Sequence, residues 1–132
     1  MNKILVCGGR DFNDWMLLAQ TLNRICYERE WNYDPFQNEY TNCCPNVTII
    51  HGGARGVDLL ADKWAILHEC VIEEYKADWD KYGKSAGPIR NQLMLDVGKP
   101  DLVIAFPTKN SKGTWDMVSR AKKKGIETII VS

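Results

Sequence analysis

Glycine stands beside a basic or polar residue at three turns of this sequence: Gly8-Gly9-Arg10, Gly52-Gly53-Ala54-Arg55-Gly56 and, after Pro107, Gly113-Thr114. Glycine lets a tight turn form and lets a ligand approach the backbone closely, while arginine supplies a permanently charged planar fork that matches a phosphate. Each turn lies between a short apolar run (Ile4 to Cys7, Val47 to Ile50, Leu102 to Phe106) and a helical pattern. Backbone N–H groups without intrahelical partners, aided by the helix dipole, hold an anion there with no metal. The chemistry expected of these turns is phosphate binding.

Other residues join this set. Arg90 sits just inside a helix that opens at Pro88, where the dipole disfavours a cation, so an anionic ligand explains it better than helix stability does. Asn91 follows it. Asp58 has two readings: it favours the start of the second helix, or it holds the glycine turn or a ribose hydroxyl. The polar, aromatic stretch Ala77 to Gly87 offers Asp78 to ribose hydroxyls, and Trp79 and Tyr82 to a stacked base or to packing. His51 reads as a pocket wall, because a lone histidine makes no acid–base pair. Asp116, two residues after Thr114, is the nearest acid to that turn.

Positioning these residues requires alternating strands and helices. Lys3 to Cys7 is a continuous apolar run typical of a strand buried on both faces. From Asn13 or Asp14 as N-cap, Trp15, Leu18, Ala19, Leu22, Ile25 and Cys26 follow helical spacing to about Arg29. Trp31 to Asn46 has no period and predicts a long loop inserted in one domain spanning 1–132. Val47 to Ile50 and Val71 to Tyr75 predict strands two and three, flanking a helix marked by Val57, Leu60, Ala61, Trp64 and Leu67. A third helix runs from about Pro88 to Val97, Leu102 to Phe106 is strand four, and a helix from Thr114 to Lys124 stops at Gly125 before a strand at Thr128 to Val131. This alternation predicts an α/β fold: a doubly wound, Rossmann-like parallel sheet of about five strands in the order 3-2-1-4-5, with helices on both faces. The turns after strands one, two and four then surround one crevice at the carboxyl edge.

Composition narrows the function. With 17 basic and 17 acidic residues the net charge is zero, which argues against a protein that coats nucleic acid. Five cysteines without CxxC pairs, and no leader before the first strand, predict reduced thiols in a cytoplasmic protein with no membrane span. No metal or cofactor is called for. The spacing of a P-loop is missing, as is the dinucleotide fingerprint at the first turn.

His51-Gly52-Gly53-Ala54-Arg55-Gly56-Val57-Asp58, Gly87-Pro88-Ile89-Arg90-Asn91 and the strand ending at Pro107 before Gly113-Thr114 resemble the SLOG superfamily. Gly8-Gly9-Arg10-Asp11-Phe12 and Asp78-Trp79 resemble its YspA-type branch, and the resemblance spans nearly the whole chain outside Trp31 to Asn46. Ala54 to Asp58 and Arg90-Asn91 are also similar to the DNA-processing protein A family, which binds single-stranded DNA. Arg90 to Met94 and Gly113-Thr114 are similar to the lonely guy phosphoribohydrolases, which cleave the base from a nucleoside monophosphate using an arginine and a glutamate. Here Asp116, shorter and displaced by one position, stands where the glutamate is expected.

The resemblance implies a binder of a nucleotide-derived small molecule, ADP-ribose-like or related to NAD, that senses or sequesters a signal. With no effector in the chain, a viral decoy against nucleotide-based immunity is one form of that role. It also implies a homo-oligomer, for which the aromatics of the long loop would suit an interface. Two alternatives stand beside it: hydrolysis of an N-glycosidic or phosphoribosyl bond with Asp116 as the acid, and single-stranded nucleic-acid binding.

Overall fold

The computed structural model describes residues 2–132. In chain order the elements are β1 (Asn2–Gly8), α1 (Trp15–Glu28), β2 (Tyr33–Asp34), β3 (Glu39–Tyr40), β4 (Val47–His51), α2 (Val57–Leu67), β5 (Val71–Glu74), α3 (Trp79–Tyr82), α4 (Ala86–Asp96), β6 (Leu102–Phe106), α5 (Lys112–Lys123) and β7 (Glu127–Ile130). Five strands pair in parallel in the order β5-β4-β1-β6-β7, with Ile4 opposite both Ile49 and Leu102. The chain therefore winds outward in both directions from β1, and the direction reverses between β1 and β6.

Side-chain alternation along the strands builds a core on each face. Ile4 and Val6 of β1 join Ile49 and Ile104 against Leu18 and Leu22 of α1 and Ala61 and Trp64 of α2. Leu5 and Cys7 turn the other way, joining Ile50 and Val103 against Met94 of α4 and Met117 of α5. Trp64 is fully buried and donates its indole N–H to Asn23 Oδ1 at 3.0 Å. The central strands β4 and β6 are buried along their entire length. Each fully buried aliphatic side chain of this core contributes about 1.5–3 kcal/mol. Among the described residues, no helix is long and apolar enough to cross a membrane.

Two stretches differ from the sequence expectation. The 31–46 segment is not a plain loop: Tyr33–Asp34 and Glu39–Tyr40 form an antiparallel hairpin, with Phe36 at its exposed tip. Strands of two residues carry too few positions to show a period. The other stretch precedes α4, which opens at Ala86 rather than Pro88 and continues from α3 through a single 3₁₀ turn at Gly83–Ser85. Pro88 is tolerated at the third position because the N–H it lacks would have no partner there.

Candidate functional site

The carboxyl ends of β1, β4 and β6 deliver their following turns to one cleft, the position at which open α/β sheets bind ligands. It has two lobes, about 640 Å³ and about 420 Å³, that meet at Arg10, Ala54, Trp79 and Arg90. Of the residues singled out above, Gly8, Gly9, Asp58, Asn91, Gly113, Thr114 and Asp116 line the larger lobe. Gly52, Gly53 and Arg55 line the smaller. Gly56, Asp78 and Pro107 line neither.

The turn after β4 is held by its own residues. Asp58, in the first turn of α2 and 7% exposed, accepts through Oδ2 from the Gly52 and Ala54 amides, each at 3.2 Å. Burial pushes the Asp58 carboxyl up, and the two amides, His51 and Arg90 oppose that. His51 Nδ1 accepts from Gly53 N–H at 3.0 Å, so the ring proton sits on Nε2, 2.8 Å from Asp62 Oδ1. The sequence reading found no partner for His51; Asp62 is that partner, one turn along α2 from Asp58. Ligand atoms of His51, Asp62 and Glu74 lie within 4.8 Å of one another. A metal on Nε2 would need the other tautomer and would break the Gly53 bond, so His51, held by Asp62, positions the turn.

Arg90 braces the same turn from the far side. Its Nη1 donates to the Gly52 carbonyl at 2.7 Å and its Nε to Asn91 Oδ1 at 3.1 Å. A side chain on Gly52 would collide with the Arg90 guanidinium. Burial pulls the Arg90 pKa down and Asp58 counters it; among the described residues Arg90 makes no ion pair. Gly56 has φ +76°, and an added Cβ would strike the Gly9 carbonyl, which itself accepts from Val57 N–H at 3.3 Å. The glycines of the first two turns thus let three chain segments pack together, and Gly8, Gly9, Gly52 and Gly53 also line the cleft.

Gly113 behaves differently, with no atom within 4 Å of an added Cβ. It lies in the first turn of α5, where the Lys112 and Gly113 amides have no intramolecular acceptor among the described residues. Asn91 Nδ2 donates to the Gly113 carbonyl at 3.1 Å and to Asp116 Oδ2 at 3.0 Å, tying α4 to α5. That same Oδ2 accepts from Arg120 Nε at 2.9 Å, leaving Oδ1 of Asp116 uncommitted.

Seven cations line the two lobes: Arg10, Arg55, Lys76, Lys84, Arg90, Lys109 and Lys112. The carboxylates there are Asp58 and Asp116, both engaged as described. Arg10 and Arg55 are exposed, and the Arg10 guanidinium carbon lies 5.7 Å from the Trp79 ring centre. Lys84, Lys109 and Lys112 were not singled out from the sequence, where nothing separates them from other surface lysines. Asp78 caps α3, its Oδ1 accepting from Lys81 N–H at 3.1 Å.

Comparison with known proteins agrees with the fold. The solved structure of DNA processing protein A from Streptococcus pneumoniae matches with a TM-score of 0.68 over 100% of this chain and 50% of that one. At 15% identity the likeness is one of fold, and it is Rossmann-like. Gene 61 protein of Mycobacterium phage D29 is 34% identical over 138 residues, covering 98% of this chain and 95% of the phage protein. The family model described as the YspA, cpYpsA-related SLOG family matches residues 37–82, which hold the turn after β4 and the Asp78-Trp79 pair. The chain belongs to the YspA-related SLOG family.

Proposed function

We propose that this protein binds a nucleotide-derived, phosphate-bearing small molecule of the ADP-ribose or NAD-related kind at the carboxyl-edge cleft and releases it intact. The observation that carries this reading is the charge of the cleft: seven cations against two already-bonded carboxylates, in a chain whose net charge is zero. Membership of the SLOG family supports a nucleotide-related ligand. Arg10 and Arg55, with no carboxylate of their own, would take the phosphates, joined by the Lys112 and Gly113 amides at the start of α5. Trp79, half-exposed at the junction of the lobes, offers its ring to the base. The protein would act by sequestering its ligand. Thermal shift against ADP-ribose, NAD and nucleoside monophosphates tests this, with mass spectrometry of the recovered ligand. A raised Tm with the ligand recovered unchanged is the expected result; no shift with any of them at millimolar concentration would refute the reading.

One observation favours a second reading, hydrolysis of an N-glycosidic bond. Asn91 orients both the Arg90 guanidinium and the Asp116 carboxylate, and Asp116 Oδ1 is uncommitted at the wall of the cleft. A carboxylate and an arginine held by one amide is an arrangement able to act on a phosphorylated sugar. Free base released by the wild type and not by Asp116→Asn would establish it.

A further inference from the structure

We propose that Cys44 and Cys70 form a thiol–disulfide pair that locks the 31–46 segment to the end of α2. All five cysteines are free thiols, and three from separate segments converge: Cys26 in the last turn of α1, Cys44 just before β4 and Cys70 between α2 and β5. They pack in the core on the α1–α2 face of the sheet. The Cys26 and Cys70 thiols are the neighbours that act most strongly on the Cys44 sulfur. Geometry independently brings the two residues to one acceptor: the Cys44 amide donates to the His68 carbonyl at 2.7 Å, and the Cys70 thiol lies 3.9 Å from the same oxygen.

Exposure chooses between the two partners of Cys44. Cys26 is 2% and Cys44 3% exposed, whereas Cys70 is half-buried beside Glu69, whose φ of +58° turns the chain outward. Of these three, Cys70 is therefore the one that a small disulfide such as oxidised glutathione meets first. Contact with Cys44 and burial hold the Cys70 thiol far above the usual range, so it passes its proton to the Cys44 sulfur as it attacks; the Cys70 sulfur forms a mixed disulfide, and the first glutathione leaves as a thiolate that takes that proton from Cys44. The Cys26 and Cys70 thiols and, more weakly, His68 push the Cys44 pKa down, which favours its thiolate. That thiolate displaces the second glutathione as a thiolate and closes the Cys44–Cys70 bond. Two protein sulfurs are oxidised and two glutathione sulfurs reduced. Cys43 hydrogen-bonds Glu69, the neighbour of Cys70, and the Cys43→Ser variant separates it from the pair.

The test exposes the reduced protein to oxidised glutathione, digests it with trypsin without reductant and identifies linked peptides by mass. The expected product joins the peptide 30–55, which carries Cys44, to the peptide 64–76, which carries Cys70. Its formation removes two free thiols and raises Tm, because the link restrains the unfolded chain. The link should persist in Cys43→Ser and vanish in Cys70→Ser, a half-buried position where folding is the less threatened; Cys44→Ser is the companion variant. A link through the peptide 25–29, which carries Cys26, would overturn the assignment, as would loss of the link in Cys43→Ser or glutathione adducts with no link.

Discussion

The turn after β4 and the turn after β6 flank the same cleft, and both looked like phosphate loops. Their hydrogen bonds separate them. In the first, the Gly52, Gly53 and Ala54 amides are consumed by Asp58 and His51, and Arg90 binds the Gly52 carbonyl. In the second, Gly113 borders empty space and the opening amides of α5 are unclaimed. A glycine-rich turn is thus no guide to where a ligand touches until its N–H groups are accounted for. The first turn is a frame that sets Arg55 and Arg90 in place, and the second is the end where we propose the anion binds.

Substitutions can break this contrast, beginning with Gly56→Ala. It combines a left-handed backbone with a collision at the Gly9 carbonyl, and should cost about 3 kcal/mol in urea unfolding. Asp58→Ala strands two amides and should cost about 2 kcal/mol by the same measurement. Asp58→Asn sharpens the point through pH. Burial raises the folded pKa of Asp58 above 3.8, so the native state binds the proton more tightly than the unfolded chain does. This group's contribution to stability is then full below 3.8 and declines as pH rises to the folded value. That component should be missing from the pH profile of the variant. Arg90→Ala should weaken ADP-ribose binding at least about tenfold, about 1.4 kcal/mol, in calorimetric titration. Lysine should not rescue it, since an ammonium cannot fork between the Gly52 carbonyl and Asn91. The smallest effect belongs to Gly113→Ala, where alanine suits the helix and should add about 0.5 kcal/mol of stability while weakening ADP-ribose binding.

Much of the frame was legible because its signals are local. Apolar runs such as Leu102 to Phe106 and the helical spacing of Leu18, Leu22 and Ile25 report burial directly, and alternation of strands and helices then brings the turns together. The hairpin at 33–40 and the helical turn at Trp79–Tyr82 escaped because each is too short to carry a period. Within the site, residue types pointed to Arg10, Arg55, Arg90 and Asp58. The engagement of the Gly52–Ala54 amides depends on side chains from α2 and the end of β4, and the bracing of Gly52 on one from α4. Such partners meet only in the folded chain, so spacing could not separate a turn that binds from a turn that packs.

The most direct test is a titration of ¹⁵N-labelled protein with ADP-ribose, following the backbone amides by NMR. The account predicts that the Arg10, Arg55, Lys112 and Gly113 amides shift at saturation while those of Gly52, Gly53 and Ala54 hold their positions. Shifts centred on Gly52 to Ala54, or none at the carboxyl edge, would contradict it.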